Sequence, residues 1–188
     1  FDVFKQPLQV RRQIGYLPES NPLYYEMGVT DYLGFVADVH DVPVNERKRR
    51  IESIIDRVGL TRMRHKDIGE LSKGYKQRVG LAQAMVADPP VLILDEPTTG
   101  LDPNQIVEIR ALIRELGQEK SVILSTHILP EVRVTCSRII IIAEGRVVDE
   151  GTPEDLIDRA KGEQIYTVTF VTPDGDAVDR ALAEHPLI

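Results

Sequence analysis

Val91-Leu92-Ile93-Leu94-Asp95-Glu96-Pro97 decides the fold class of this chain, because four consecutive apolar residues run directly into two carboxylates. A short apolar run of this kind is typical of a strand in a parallel sheet with both faces covered. Ligands of open α/β sheets bind beyond the carboxyl ends of the strands. We therefore expect Asp95 at a ligand-binding edge, where its carboxylate suits Mg²⁺, with Glu96 beside it to position or deprotonate an attacking water. A strand that merely ends in a polar turn is the alternative.

The segments around this strand alternate short β-branched runs with stretches of helical periodicity, which predicts an α/β fold with a largely parallel sheet. Further strands are predicted over residues 12–17 and 121–125, and a hairpin over residues 138–149 with Glu144-Gly145 as its turn. Helices are predicted over residues 30–40, 46–58, 72–87, 104–116 and 129–136, with Thr30, Asn45 and Ser72 as the first three N-caps and with Gly59 and Gly117 ending the second and fourth helices. Residues 20–87 contain no convincing strand, so a helical insertion is predicted there.

Two further stretches are expected near the same edge of the sheet. The loop Thr98-Thr99-Gly100-Leu101-Asp102-Pro103 directly follows the carboxylates, and its glycine fixes the backbone close to them. Asp102 either takes part in the site or serves only as a turn residue and helix cap. Ser125-Thr126-His127 ends the next strand, and a histidine at that position can donate a hydrogen bond to charge that develops on a γ-phosphate.

Leu71-Ser72-Lys73-Gly74-Tyr75 lies at the start of a predicted helix. The serine hydroxyl, the free backbone N–H groups and the helix dipole together can bind an anion, and Lys73 adds positive charge. Considered alone, a plain N-cap explains the same residues.

In this order the four stretches closely resemble the ATP-binding subunit of ABC transporters, over about residues 10–160. Residues 71–75 are similar to the family's signature motif, whose common form is Leu-Ser-Gly-Gly-Gln. Residues 92–96 resemble the Walker B strand with its catalytic glutamate, Gly100-Leu101-Asp102 the D-loop, His127 the switch histidine and Gly15-Tyr16-Leu17-Pro18-Glu19 the Q-loop. Tyr-Leu-Pro-Glu together with Leu-Ser-Lys-Gly resembles the multidrug and gliding-motility exporter type.

The resemblance implies a P-loop NTPase-type core with a mostly parallel sheet, in which residues 20–87 form an α-helical subdomain. The ATPase domain spans residues 1–160, and residues 161–188 begin a small C-terminal α+β appendage. The implied cofactors are ATP and Mg²⁺. The implied catalytic residues are Glu96, as general base, and His127; the metal ligands are Asp95 and Glu19; and the nucleotide contacts are Ser72, Lys73, Gly74, Tyr75, Asp102 and Glu19.

The resemblance also implies partners. A second ATP-binding subunit pairs head to tail with the first, so that Ser72 and Gly74 of one contact the γ-phosphate bound by the other, and Asp102 communicates across the interface. Integral membrane subunits dock near Ser20 to Met27, a loop that contains two Tyr, a Leu and a Met. The subunit is then cytoplasmic and peripheral on the inner face of the cell membrane, and it couples ATP hydrolysis to transport.

The chain departs from the family pattern at three places. No Gly-Lys dipeptide occurs among its 188 residues, so the phosphate-binding pattern G-x-x-x-x-G-K-[ST] is missing. We therefore expect an N-terminally truncated fragment that binds Mg-ATP weakly or not at all and is inactive alone, although the intact protein is an ATPase. Glu19 stands where the family usually has Gln, and a carboxylate only accepts hydrogen bonds. Lys73 and Tyr75 replace Gly and Gln of the common signature.

Composition limits the remaining function classes. The net charge of −7 argues against nucleic acid as a partner, because phosphate neutralisation needs clustered Lys and Arg. The single cysteine, Cys136, cannot form an internal disulfide, which favours a reducing compartment. Two alternatives stay open: a soluble ABC-type ATPase acting on nucleic acid or ribosomes, and a catalytically silent binding module, favoured only by the missing phosphate loop.

Overall fold

A computed structural model describes residues 1–160 of the chain. The strand and helix predicted at residues 164–171 and 176–184, and with them the C-terminal appendage, lie outside the described residues. The chain divides into one unit over Phe1–Pro153 and a second that begins at Glu154. The domain boundary expected after residue 160 stays a prediction. Within residues 1–160, no helix is both long and apolar enough to cross a bilayer.

The elements follow one another in the alternating order that the sequence predicts. They are α1 (Pro7–Arg12), β1 (Ile14–Leu17), α2 (Val29–Val39), α3 (Val44–Arg57), two 3₁₀ turns (Thr61–Met63 and Ile68–Glu70), α4 (Lys73–Met85), β2 (Val91–Asp95), α5 (Pro103–Glu119), β3 (Ser121–Ser125), α6 (Leu129–Thr135), β4 (Ile139–Ala143), β5 (Arg146–Gly151) and α7 (Pro153–Ala160).

The central sheet has the order β1-β2-β3, and both strand pairs are parallel. Its register aligns Leu17 with Leu94 and Leu94 with Leu124. The next pair in this register joins Asp95 to Ser125. Because parallel strands end at the same edge, the residues that follow β2 and β3 are brought together there.

The two faces of this sheet differ in burial. Leu92 and Leu94 are fully buried on one face, where α4 packs so closely on β1 that a methyl group on Gly15 would collide with the carbonyl oxygen of Ala84. On the other face, Ile93 is only half-buried and Ile123 is exposed. The expectation that β2 is covered on both faces is therefore wrong for the described residues.

The helical insertion between β1 and β2 is built on aliphatic side chains at helical spacing. Leu33, Ile55 and Leu60 are fully buried, and burying each such side chain stabilises the fold by about 1.5–3 kcal/mol. Ser72 is the N-cap of α4, and Gly59, at φ +72°, follows α3, as predicted.

Two predicted N-caps are wrong. The structure has Gly28 as the N-cap of α2 and Pro43 as that of α3, so Thr30 and Asn45 lie inside the helices. The Thr30 hydroxyl donates instead to the carbonyl oxygen of Arg64 at 2.7 Å, a residue 34 positions away. A tertiary partner therefore competes successfully with local capping.

Other element ends also differ from the predictions. Arg12 ends the short helix α1 and β1 begins only at Ile14, whereas the sequence predicts a strand from residue 12. Helix α5 continues through Gly117 to Glu119, because a helical glycine costs only about 1 kcal/mol and Leu116 beside it is anchored in the core. Helix α4 ends at Met85, two residues early.

The hairpin prediction is confirmed. Strands β4 and β5 pair antiparallel around Glu144-Gly145. Both turn residues have positive φ, +49° and +73°, as a two-residue type I′ turn requires.

Candidate functional site

The strand ends first place a carboxylate and a hydroxyl side by side. Asp95 is the last residue of β2 and is half-buried, and Ser125 is the last residue of β3. The Ser125 hydroxyl donates to Oδ1 of Asp95. The parallel register produces this contact, and it holds the Asp95 carboxylate at the sheet edge.

Glu96 turns the chain out of the strand. Its backbone lies in the left-handed region at φ +47°, which non-glycine residues rarely adopt and which functional sites often hold under strain. Its N–H donates to the carbonyl oxygen of Ser125 at 3.0 Å, so the end of β3 fixes this conformation. The strain therefore sits on the residue that the sequence predicts as the base.

The Glu96 carboxylate joins the loops that follow β2 and β3. Its Oε1 accepts from the backbone N–H of His127 at 3.1 Å and lies 2.7 Å from His127 Nδ1. Its Oε2 accepts from the hydroxyls of Thr99 and Thr126 at 3.3 and 3.5 Å. Only 15% of the Glu96 side chain is exposed. We call Asp95, Glu96 and His127 the carboxylate edge.

The His127 ring stays open to solvent although it contacts Glu96. Its side chain is 77% exposed. The hydrogen bond to Glu96 and the charge of that carboxylate raise the pKa of His127 above its usual value, and the charges of Glu19 and Glu131 contribute in the same direction. The imidazole is therefore held by one nitrogen, while most of its surface remains accessible to a ligand.

Glu19 lies in the exposed bend after β1. Its charge contributes to the raised pKa of His127. No cluster of three or more His, Cys, Asp or Glu arranged for a metal ion occurs in residues 1–160. Mg²⁺ commonly takes only one or two carboxylates and completes its shell with waters and phosphate oxygens, and Asp95 and Glu19 fit that donor set.

A second group of predicted residues, the signature segment (residues 71–75), begins α4. Ser72 is exposed, and its hydroxyl accepts from the Tyr75 N–H at a long 3.5 Å. The Lys73 side chain lies over Gly100, where an added methyl group would collide with its ammonium and stem. Gly100 has φ +75°, a left-handed backbone conformation that favours glycine.

Gly74 joins the signature segment to the start of α5. Asp102 is the N-cap of α5: its Oδ1 accepts from the N–H groups of Asn104 and Gln105, both at 3.0 Å. Gln105 Oε1 accepts in return from the Asp102 N–H at 3.3 Å, which completes a capping box. The Gln105 amide occupies the space that a methyl group on Gly74 would need. The structure thus shows the capping role of Asp102.

Several polar partners of these residues are not evident from the sequence motifs. Thr99 and Thr126 donate to Glu96, Ser125 donates to Asp95, and the Gln105 side chain accepts from the Asp102 N–H. The hydroxyls could have been anticipated by aligning the ends of two parallel strands. Gln105 could have been anticipated from its position three residues after the capping Asp102.

Comparisons with known proteins agree with this fold. The ABC transporter family model matches residues 3–99. The ABC transporter ATP-binding protein NatA of Bacillus subtilis is 34% identical, over 88% of this chain and 68% of that protein. An uncharacterized ABC transporter ATP-binding protein of Synechocystis is 34% identical, over 93% of this chain and 49% of that protein.

Two solved structures are similar as well. An ATP-binding subunit of an ABC transporter has a TM-score of 0.75 at 28% identity, covering 98% of this chain and 74% of that one. The protein cbiO1 of Clostridium perfringens, described as part of the ABC transporter complex cbiONQ, has a TM-score of 0.73 at 32% identity, covering 82% of this chain and 62% of that one.

The α/β sheet, with helices inserted between its strands, therefore has the fold of an ABC ATPase domain. The chain belongs to the family of ABC transporter ATP-binding proteins. It spans about half to two thirds of the length of the curated relatives named above.

Proposed function

We propose that this chain is part of an ATP-binding and ATP-hydrolysing subunit that powers an ABC transporter, with ATP and Mg²⁺ as cofactors. The observation that carries the proposal is the Glu96 carboxylate. It is nearly buried at the carboxyl ends of parallel strands and is oriented by Thr99, Thr126 and His127. A fixed carboxylate at this edge is suited to accept a proton from an attacking water.

The other residues of the carboxylate edge have supporting roles in this proposal. Asp95 and Glu19 hold the metal, which neutralises phosphate charge when bound. His127 donates a hydrogen bond to charge that develops on the γ-phosphate, because its exposed ring can turn from Glu96 toward a ligand.

We propose that the signature segment serves the second ATP of a head-to-tail dimer. Ser72 and Lys73 are exposed at the N-terminus of a 13-residue helix whose remaining length is largely buried. Backbone N–H groups at such a terminus bind anions. Gly74 is buried against the Gln105 amide and Tyr75 is half-buried, and both are proposed to support the same contact from the first turn of the helix. Asp102, which is exposed, is proposed to communicate with the partner.

The loop at Ser20 to Met27 is the proposed docking site for the membrane subunits. Tyr24 and Tyr25 are each more than half exposed, and Tyr24 packs edge-on against Phe35 with ring centroids 5.6 Å apart. Leu23 is buried and Met27 packs on the core, so they support the loop from within. Exposed aromatic anchors on a rigid base are typical of interface hot spots.

The named relatives do not decide the direction of transport, because one of them is named a methionine import ATP-binding protein. The exporter type is therefore proposed only on the motifs Tyr-Leu-Pro-Glu and Leu-Ser-Lys-Gly. The proposed location is cytoplasmic, on the inner face of the cell membrane, without nucleic acid. Purification of the tagged intact protein from membranes should bring down integral membrane subunits. Recovery with ribosomes or DNA instead would overturn this assignment.

The phosphate-binding loop that completes the ATP site is proposed to come from outside these 188 residues, which contain no Gly-Lys dipeptide. Calorimetry should then detect weak or no Mg-ATP binding to this chain and clear binding to the same chain extended by its native upstream residues. Submicromolar binding by the short chain would contradict the proposal. Failure of both forms to bind would favour a catalytically silent module.

A further inference from the structure

Glu131 is a buried acid that the proposed reaction does not use. It lies in α6, four residues after His127, and only 2% of its side chain is exposed. A buried carboxylate is costly unless it is paired and hydrogen-bonded. Glu131 is both. Its Oε1 accepts from Arg110 Nη2 of α5 at 2.8 Å, and its Oε2 accepts from the Thr98 hydroxyl at 2.7 Å.

The position of these partners connects them to the carboxylate edge. Thr98 follows Glu96 by two residues, and Glu131 follows His127 by four. The Thr98–Glu131 hydrogen bond therefore joins the loop after β2 to helix α6, which directly follows the loop of His127. It is buried, whereas the His127 ring is exposed. Together with the Glu96–His127 contact, it restricts relative movement of the two segments more than one contact alone does.

We propose that Glu131, oriented by Arg110, is a positioning residue that holds the loop of Glu96 against the loop of His127 through the hydroxyl of Thr98. This inference rests on the proposed function only in one respect, namely that an effect of Glu131 on ATP hydrolysis requires the chain to be part of an ATPase. The positioning itself is a property of the nucleotide-free chain, and it can be tested without ATP.

Stability alone does not explain this arrangement well. Apolar residues often replace buried ion pairs without loss of stability, and the pair is not fully bonded, since Arg110 Nε is buried without a hydrogen-bond partner among residues 1–160. Glu131 instead makes directional hydrogen bonds to Arg110 of α5 and to Thr98 in the loop after β2, and these bonds fix the position at which α6 begins. His127 directly precedes Ile128, which is the N-cap of α6.

The decisive test removes the hydrogen bond between Thr98 and Glu131 but keeps the Glu131 carboxyl group. Thr98→Val deletes the hydroxyl and leaves the Glu131 side chain in place, which matters because the charge of Glu131 itself helps to raise the pKa of His127. In the 188-residue chain without nucleotide, NMR titration should show the His127 pKa lowered toward its ordinary value of about 6.5. Thr98→Ser keeps the hydroxyl and should therefore have the wild-type pKa at His127.

Two of the other three histidines, His40 and His65, distinguish positioning from general damage. Both lie outside the carboxylate edge, so Thr98→Val should leave their NMR signals unchanged. An unchanged His127 pKa, or equal changes in the signals of His127, His40 and His65, would overturn the inference.

A second variant covers the case in which Thr98→Val alone does not fold. Thr98→Val with Glu131→Leu replaces the buried polar tie by apolar groups. The His127 amide, which donates to Glu96, should then exchange its hydrogen about tenfold faster, while the strand amides of Leu94 and Leu124 keep their protection. Unchanged exchange at His127 would contradict the proposal.

Discussion

Glu96 accepts hydrogen bonds from three residues of its own chain, whereas the Ser72 hydroxyl accepts one, at 3.5 Å, and stands exposed at the start of α4. The carboxylate edge is thus assembled within this chain. In the signature segment the Gln105 amide lies against Gly74, and within residues 1–160 the Ser72 hydroxyl has only this one long hydrogen bond. A fixed edge suits chemistry on a bound molecule, and an open helix terminus suits contact with a ligand held elsewhere.

The largest expected effect concerns the fixed edge. In the intact protein with its upstream residues and partners, Glu96→Gln should lower ATP turnover by about 10²–10⁴-fold, since it removes the proposed general base. ATP binding should persist, and the ATP-bound dimer should accumulate, as gel filtration with Mg-ATP would show. Glu144→Gln in the exposed hairpin turn is the matched control. Normal turnover in Glu96→Gln would remove Glu96 from its proposed role.

The two helix caps should differ in strength. Asp102 accepts two backbone hydrogen bonds at 3.0 Å inside a capping box, so Asp102→Ala should destabilise the chain by about 1–2 kcal/mol. Ser72→Ala should cost only about 0.5 kcal/mol, because its single bond is long. Urea unfolding of both variants measures the difference. Equal losses would show that the signature segment is capped as firmly as α5.

Two glycine substitutions test how tightly the signature segment is packed. Nothing lies near a methyl group added at Gly117 inside α5, so Gly117→Ala should stabilise the chain by about 0.5–1 kcal/mol. Gly74→Ala gains the same helix propensity but displaces the Gln105 amide from the capping box. The two variants should therefore differ by about 1 kcal/mol in thermal unfolding. A gain of equal size at Gly74 would show that Gln105 moves away without cost.

The smallest expected effect is the pH dependence of the Glu96–His127 contact, since the imidazole is largely exposed. The folded-state pKa of His127 is raised, so the contact contributes fully to stability below the unfolded pKa of about 6.5. That contribution is lost as the pH rises through the folded pKa. Unfolding of the wild-type chain and of Glu96→Gln at pH 5.5 and 8.5 should show a wild-type advantage that shrinks at the higher pH. An advantage that grows with pH would contradict the raised pKa.

The helices and strands could be predicted from the sequence more completely than the residues at which they begin and end. Strand β2, the hairpin turn at Glu144-Gly145 and the Ser72 cap were predictable, because each follows from a local pattern of apolar, positive-φ or capping residues. The Thr30 cap failed because its hydroxyl bonds to Arg64, which is distant in sequence. The Gly117 stop failed because packing of Leu116 outweighs a weak local preference.

The candidate site shows the same division. Asp95, Glu96 and His127 could be placed at one edge from strand order alone, and the structure brings them together there. Thr98 and Glu131 are 33 residues apart, and their pairing depends on where α6 docks. Lys73 over Gly100 depends likewise on how α4 meets the loop after β2.

The sequence by itself therefore determined the alternation of strands and helices, the motifs that define the family and the side chains available for chemistry. These are encoded in neighbouring residues, whose preferences act before any tertiary contact forms. Only the tertiary structure decided which hydroxyls orient Glu96, that one face of the central sheet is buried while the other is partly open within the described residues, and that Thr98 donates a hydrogen bond to Glu131. Those features depend on strand register and helix docking, which arise from the packing of residues far apart in the chain.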